Sequence, residues 1–326
     1  MMNASELKFV GIDVAKNSLE RAMEAQGKTM EFTNDEKGIA QVLAALKAAG
    51  GTVGAVVLEA TGGFERQAAI ALCLADFPVR VVNPRQARDF AKAMGYLSKT
   101  DAIDARVLSH FAFMLYKSDR RERLLMKRPE ANQEALEALV TRRVQLIQMR
   151  VAEENRLALS NKTQRKSIAT VRKVIDKELA RIEYETEELL KEHFADKLAL
   201  FEGCKGVGPA TQACLMGKLP ELGALSHEEI SKLVGVAPLN CDSGRHKGRR
   251  VTWGGRSDVR TTLYMATLSA MQHNSVIKPF YQRLLAKGKE KKVAIVACMH
   301  KLLIILNAIV KSNKPWNEHY LTPKTA

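Results

Sequence analysis

Four carboxylates in the first third of the chain, Asp13, Glu59, Asp101 and Asp104, have the spacing of a metal-assisted phosphodiester site. Asp13 ends the apolar run Phe9-Val10-Gly11-Ile12, and Glu59 ends Val53-Gly54-Ala55-Val56-Val57-Leu58. Both runs predict short buried strands, and open α/β sheets gather their chemistry beyond the carboxyl ends of strands. Asp101 and Asp104 follow Thr100, a predicted helix N-cap, and residues three apart share a helix face. Two such charges ~4 Å apart repel by about 4 kcal/mol at an effective dielectric near 20, a penalty that a cation removes. Hard carboxylate oxygens suit Mg²⁺ or Mn²⁺, in a one- or two-metal arrangement. Taken singly, Asp101 could complement a helix dipole, and Asp13 and Glu59 could be ordinary loop acids. Their joint placement favours the metal.

A second constellation lies in Cys241-Asp242-Ser243-Gly244-Arg245-His246-Lys247-Gly248-Arg249-Arg250, with Arg256 close behind. A serine hydroxyl is a weak nucleophile until it is deprotonated or its target is polarised. Clustered cations at Arg245, Lys247, Arg249, Arg250 and Arg256 suit a phosphodiester and the charge gained at phosphorus. The product of that chemistry is a phosphoserine–DNA link. The alternative is a solvated basic loop in which Ser243 forms a turn. His246 could act as acid or base or be an ordinary loop histidine. Cys241 ranks below Ser243, because Asn240 and Asp242 offer no clear means of lowering its pKa.

Strands are predicted near Phe9–Val14, Leu19–Met23, Met30–Thr33, Ala55–Glu59 and Val79–Val82, and helices near Gly38–Ala48, Phe64–Leu74, Pro84–Met94 and Asp101–Phe113. That alternation specifies an α/β sheet of mixed direction. From Asn132 to Lys197 there is no Pro or Gly. Leu136, Val140, Val144, Ile147 and Val151 make one helical stripe, and Val171, Ile175, Leu179 and Ile182 make another, with a polar break at Ser160–Lys166. Two long antiparallel helices follow, able to space two domains or to drive self-association. Gly206-Val207-Gly208-Pro209 opens a helix, whose exposed N–H groups could hold a phosphate. Ser226-His227-Glu228-Glu229 is a capping box, and helices resume near Asp258–Gln272, Val276–Ala286 and Val293–Lys311. The expected division is an α/β domain at 1–118, a helical hairpin at 119–200 and an all-α domain carrying the serine loop at 201–326.

The chain has 326 residues, 46% hydrophobic and 27% charged, which fits globular folding and excludes a disordered polyelectrolyte. Its net charge of +15 is unevenly spread. Residues 1–110 carry 13 Lys+Arg against 13 Asp+Glu, whereas residues 201–326 carry 19 against 8. A basic C-terminal region in a chain with a carboxylate site suggests a polyanionic partner. Five cysteines without a C-x-x-C fit a reducing cytosol, without a disulfide framework or zinc site. The N-terminus lacks a signal-peptide layout. The apolar stretch Val293–Val310 is broken by His300, Lys301 and Asn307 and is expected to be a buried helix, not a membrane span. A cytoplasmic protein with no membrane partner is expected.

Several segments together resemble the DEDD transposases of the insertion-sequence one-ten family. These are Gly11-Ile12-Asp13-Val14-Ala15-Lys16, Glu59-Ala60-Thr61-Gly62, Val82-Asn83-Pro84 and Lys99-Thr100-Asp101-Ala102-Ile103-Asp104-Ala105-Arg106. Later come Gly206-Val207-Gly208, Gly235-Val236-Ala237-Pro238, Asp242-Ser243-Gly244 and Val259-Arg260-Thr261-Thr262-Leu263-Tyr264, in matching order over nearly the whole chain. The resemblance implies an RNase H-like domain of the RuvC kind and a helical transposase domain. It implies Mg²⁺ on Asp13, Glu59, Asp101 and Asp104, Ser243 as nucleophile, a structured guide RNA encoded by the element, and a homo-oligomer, dimer or tetramer. This chain departs from the family pattern at Cys241, where an aromatic residue is usual, and in the strongly basic stretch after Gly244.

The function expected is therefore a transposase that cuts and rejoins DNA through a metal-assisted serine. A pilin-type DNA invertase could share every motif. A junction-resolving nuclease would use water and need no such serine. An ATP-binding protein of the actin and sugar-kinase fold would need a second phosphate loop, and no convincing one follows Gly11-Ile12-Asp13. A non-catalytic nucleic-acid binder leaves the four acids unexplained.

Overall fold

In a computed structural model the chain forms two compact units, Met1–Pro129 and Glu130–Ala326. The structure describes residues 7–98, 100–118, 122, 125–128, 130–239, 242–243, 246–247 and 251–318.

The first unit holds β1 (Leu7–Val14), β2 (Ser18–Met23), β3 (Thr29–Thr33), α1 (Glu36–Ala48), β4 (Thr52–Glu59), α2 (Arg66–Leu74), β5 (Val79–Val82), α3 (Pro84–Ala93) and α4 (Asp101–Lys117). Sheet order is β3-β2-β1-β4-β5, with β1–β2 and β2–β3 antiparallel and β1–β4 and β4–β5 parallel. The expected strands and their mixed direction are all present. Alternation along each strand sorts residues to two faces. Val10, Ile12, Val56 and Leu58 meet Ile39 and Val42 of α1 and Leu72 of α2. On the other face Phe9, Ala55 and Val57 meet Ala87 of α3 and Leu108 and Ala112 of α4.

Gly11 lets α4 lie against the centre of the sheet. A Cβ there would sit 2.2 Å from both the Ala105 carbonyl oxygen and the Ser109 nitrogen, which are backbone atoms that cannot rotate away. Ser109 Oγ donates to the Phe9 carbonyl at 2.8 Å, and Arg106 Nε to the Gly27 carbonyl at 3.1 Å, pinning the helix at two places. Gly11→Ala is expected to destabilise this unit by about 3 kcal/mol, the upper range for overpacking. A denaturant midpoint equal to that of the parent protein would contradict this close approach.

In the second unit α5 (Ala131–Leu159) and α6 (Lys162–His193) form the expected antiparallel pair. The break is only Ser160-Asn161. Asn161 caps α6, its side chain accepting from Gln164 N at 3.1 Å, so the polar run to Lys166 is helical rather than a loop. The buried stripe also differs from the expected one. Leu146 is buried, whereas Val151 is 45% and Val171 42% exposed. Leu146, Ile175, Leu179 and Ile182 form a small separate cluster. Leu136 and Val140 of α5 and Leu190 of α6 instead join the main core of the unit, beside Phe201, Leu215, Leu263 and Leu302.

That core is completed by α7 (Ala195–Ala199), α8 (Pro209–Lys218), α9 (His227–Val234), α10 (Ser257–His273), α11 (Ile277–Ala286) and α12 (Lys291–Ser312). The capping box at Ser226 and Glu229 forms as expected, and α9 ends at Gly235 in the left-handed conformation. Gly206 has φ +98 and faces α10, where a Cβ would meet the Ala266 carbonyl oxygen at 2.7 Å. Helix packing therefore accounts for this glycine without a phosphate. α12 is long and apolar enough to cross a membrane, but half of its most apolar window is buried in the unit. Its Asn307 is fully buried, accepting from Gly223 N at 2.7 Å and donating to the Leu225 carbonyl at 3.0 Å.

Candidate functional site

Asp13, one residue before the end of β1, and Glu59, the last residue of β4, lie on neighbouring parallel strands whose last register pair is Ile12↔Leu58. Both acids share the strand parity of Phe9, Ala55 and Val57, which face α4. Along α4, Ser109 bonds to Phe9 and Ala105 abuts Gly11, so one further turn back brings Asp101 and Asp104 beside Asp13. Thr100 caps this helix as expected, accepting from Ile103 N at 3.2 Å. The Asp13 carboxyl is pushed up from 3.8 to about 6, first by partial burial, then by the negative charges of Asp104, Asp101 and Glu59. All four acids chosen from sequence therefore share one electrostatic neighbourhood at the carboxyl end of the sheet.

They do not close a coordination shell. Among the described residues, no three His, Cys, Asp or Glu side chains are gathered tightly enough to hold a metal ion. The sequence expectation of direct convergence is thus met only as far as neighbourhood. The donor chemistry still fits a hard divalent cation, since four carboxylates lie in one neighbourhood where burial first, and then the other three acids, raise the Asp13 carboxyl to about 6.

The serine segment is partly ordered into strand rather than loop. β6 (Pro238–Leu239) pairs antiparallel with β9 (Val251–Thr252), and β7 (Asp242–Ser243) pairs with β8 (His246–Lys247). In that register Ser243 stands opposite His246. Two-residue strands carry too little periodicity to be read from sequence. Cys241, Arg245, Arg249 and Arg250 lie outside the described residues.

Arg256, chosen as a nucleic-acid contact for its place after the basic run, donates from Nη1 and Nη2 to Glu221 Oε2 and Oε1, both at 2.6 Å. Its Nη1 also donates to the Lys218 carbonyl at 2.8 Å. A bidentate guanidinium–carboxylate pair gives this side chain a structural partner within the unit. Sequence reasoning also missed Gly11 as the residue that admits α4. Its one available signal was a glycine inside an apolar strand, which often marks close backbone approach.

Two family models match the chain, one described as "Transposase" over residues 10–159 and one as "Transposase IS116/IS110/IS902 family" over residues 198–282. The first spans the sheet unit with all four carboxylates and continues through α5. The second spans the serine segment and the helices around it. The chain is also 26% identical to the pilin gene-inverting protein of Moraxella bovis and 25% identical to that of Moraxella lacunata. Each alignment covers 95% of this chain and 98% of the relative. With both halves matched in order, the chain belongs to the IS110 family of transposases and is a DNA transposase/recombinase enzyme.

Proposed function

We propose that this transposase moves an insertion element by cutting and rejoining DNA with Ser243 as nucleophile and Asp13, Glu59, Asp101 and Asp104 as ligands for Mg²⁺ or Mn²⁺. The observation that carries this reading is the placement of Asp13 and Glu59 on adjacent parallel strands beneath the start of α4, where burial and then Asp104, Asp101 and Glu59 raise the Asp13 carboxyl to about 6. A bound divalent ion supplies Lewis-acid polarisation of the phosphate and helps to ionise a hydroxyl. The four carboxylates would hold that charge at the carboxyl end of the sheet. Ser243 Oγ bonds to phosphorus as the P–O bond to one DNA oxygen breaks, and the serine proton ends on that oxygen, which leaves as a free hydroxyl. The resulting phosphodiester keeps the bond energy that rejoining needs.

The first unit is read as an RNase H-like domain of the RuvC kind, supported by a five-stranded mixed sheet whose order places the two acidic strands side by side. Functionally the chain divides at 1–118, 119–200 and 201–326, as the sequence suggested. A structured RNA encoded by the element guides pairing of donor and target DNA, and the protein works in the cytoplasm. Inversion is the second reading, because both named relatives are pilin gene-inverting proteins. Transposition and inversion assays on a plasmid carrying the flanking DNA separate the two, and neither product appearing would overturn both.

Lys247, Arg245, Arg249 and Arg250 contact phosphate, supported by 19 Lys+Arg against 8 Asp+Glu in residues 201–326. Affinity for duplex DNA is expected to fall with salt at a log–log slope of about −0.9 per neutralised phosphate. Neutral replacement of Arg249 and Arg250 should flatten that slope by roughly two such units. A fluorescence titration with no salt dependence would remove the electrostatic contribution.

The α5–α6 hairpin drives assembly into a dimer or tetramer. Support comes from apolar side chains left outside its packed stripe, with Leu159 92% and Val174 59% exposed. Light scattering should give a multiple of the 36.1 kDa chain mass, reduced by Leu159→Glu and Val174→Glu together. A monomeric mass with and without nucleic acid would count against assembly.

A further inference from the structure

The segment that carries Ser243 is bracketed by α9 and α10, and the chain on its two sides meets at one place. On the outgoing side α9 ends at Val234 and Gly235. On the returning side Gly254, Gly255 and Arg256 lead into α10. The two backbones touch: a Cβ on Gly235 would lie 2.0 Å from the Gly254 carbonyl oxygen, and one on Gly255 would lie 2.4 Å from the Gly235 nitrogen. Just beyond this crossing β6 and β9 pair through Pro238↔Thr252 and Leu239↔Val251.

Two arginines lock the crossing. Arg256 holds Glu221 in a bidentate pair and bonds to the Lys218 carbonyl, tying the return strand to the end of α8. Its own N–H donates to the Leu233 carbonyl at 3.0 Å. One turn on, Arg260 Nη1 donates to the carbonyls of Gly254 and Val234, one from each side of the crossing. Lys218 and Asp258 add an ion pair between α8 and α10.

We infer that Arg256, held by Glu221, and Arg260 are positioning residues that fix the base of the serine-bearing segment. The functional part rests on Ser243 being the nucleophile. A two-stranded stem of two residue pairs is too short to orient anything alone, since isolated hairpins are at best marginal in water. In-line attack requires the hydroxyl to be held close to its productive position, and small misplacements cost orders of magnitude in rate. The planar guanidinium fork supplies the directional grip that a lysine ammonium cannot.

The test uses the full-length chain with Arg256→Lys, Glu221→Gln and the double variant. Covalent adduct formation is followed on a nicked suicide duplex at saturating DNA, beside DNA affinity at two salt concentrations and amide hydrogen exchange over residues 236–239 and 251–256. Each single variant should slow adduct formation roughly 10- to 100-fold while affinity stays within about threefold. Exchange at the stem should accelerate. The double variant should be no slower than the worse single, because both changes break one contact.

An unchanged adduct rate in Glu221→Gln or Arg256→Lys overturns the inference. So does an Arg256→Gln variant that binds DNA more weakly with a flatter salt slope while Glu221→Gln binds more tightly, which would make Arg256 a phosphate ligand. Loss of a Ser243-dependent adduct in the parent protein would instead overturn the nucleophile assignment. The clamp is then judged on stem exchange, and unchanged exchange in both single variants refutes it.

Discussion

Ser243→Ala is expected to abolish the denaturant-stable protein–DNA adduct and, with it, recombination, by at least three orders of magnitude. The reason is energetic. Strand exchange without an external energy source must conserve the phosphodiester that is cut, and a serine ester does so where water attack would not. Removing Oγ removes the only atom through which this chain can hold the broken strand in that scheme. DNA affinity should change little, because alanine leaves the surrounding cations in place. Cys241→Ala should retain the adduct, as Cys241 has no neighbouring base or cation in sequence that favours it over the cations beside Ser243. The measurement is a denaturing gel of labelled duplex after trapping, with phosphoserine located by peptide mass spectrometry. An adduct that persists in Ser243→Ala but disappears in Cys241→Ala would reassign the nucleophile to the thiol.

The second large effect is at Asp13, where loss of activity should accompany a gain of stability. Asp13→Asn keeps the shape of the side chain but removes the charge proposed to help hold the divalent ion, so cleavage should fall to background. In chelator the same change should stabilise the protein. The folded carboxyl titrates at about 6, above its ordinary value of 3.8. Between those values the folded state binds more protons than the unfolded chain, so stability falls as pH rises through this window and stays reduced above it. The whole shift corresponds to ~3 kcal/mol. Solvent screening of a partly exposed group lowers the expected gain at pH 7.5 to roughly 1–2 kcal/mol. Mg²⁺ or Mn²⁺ should raise the melting temperature of the parent protein, through mass action on the folded state, and should do so less in Asp13→Asn. A variant that cleaves normally, or a parent protein whose melting ignores both ions, would sink the metal assignment.

Much of the first unit was legible because its signals are local and strong. Five segments of strand length and pattern, Thr100 as a cap, and Asp101 and Asp104 three apart needed no knowledge of neighbours. The faces were implicit too, since Asp13 and Glu59 follow from period-two alternation once their strands are parallel neighbours. In the second unit the long helices were visible from uninterrupted apolar spacing. Their exact buried stripe was not, because Leu146 and Val151 sit on overlapping arcs of the same helix. Packing of Leu146 against Ile175 and Ile182 selects one arc.

By itself the sequence determined residue chemistry, helix and strand periods, and the order of motifs that marks the family. Tertiary structure alone decided which chemical groups are available. Nothing in the spacing of Arg256 distinguishes a phosphate contact from a partner of Glu221, since 35 residues separate the two and only folding brings them within 2.6 Å. The same holds for Gly11, whose missing Cβ matters because the Ala105 carbonyl arrives from a helix far along the chain. Asp13 is an ordinary aspartate in sequence. Burial and three neighbouring negative charges, supplied by another strand and a later helix, make it a carboxyl titrating near 6. Composition fixes what a side chain can do, whereas long-range contacts fix its partners and its solvation, and those set its pKa and its freedom to bind.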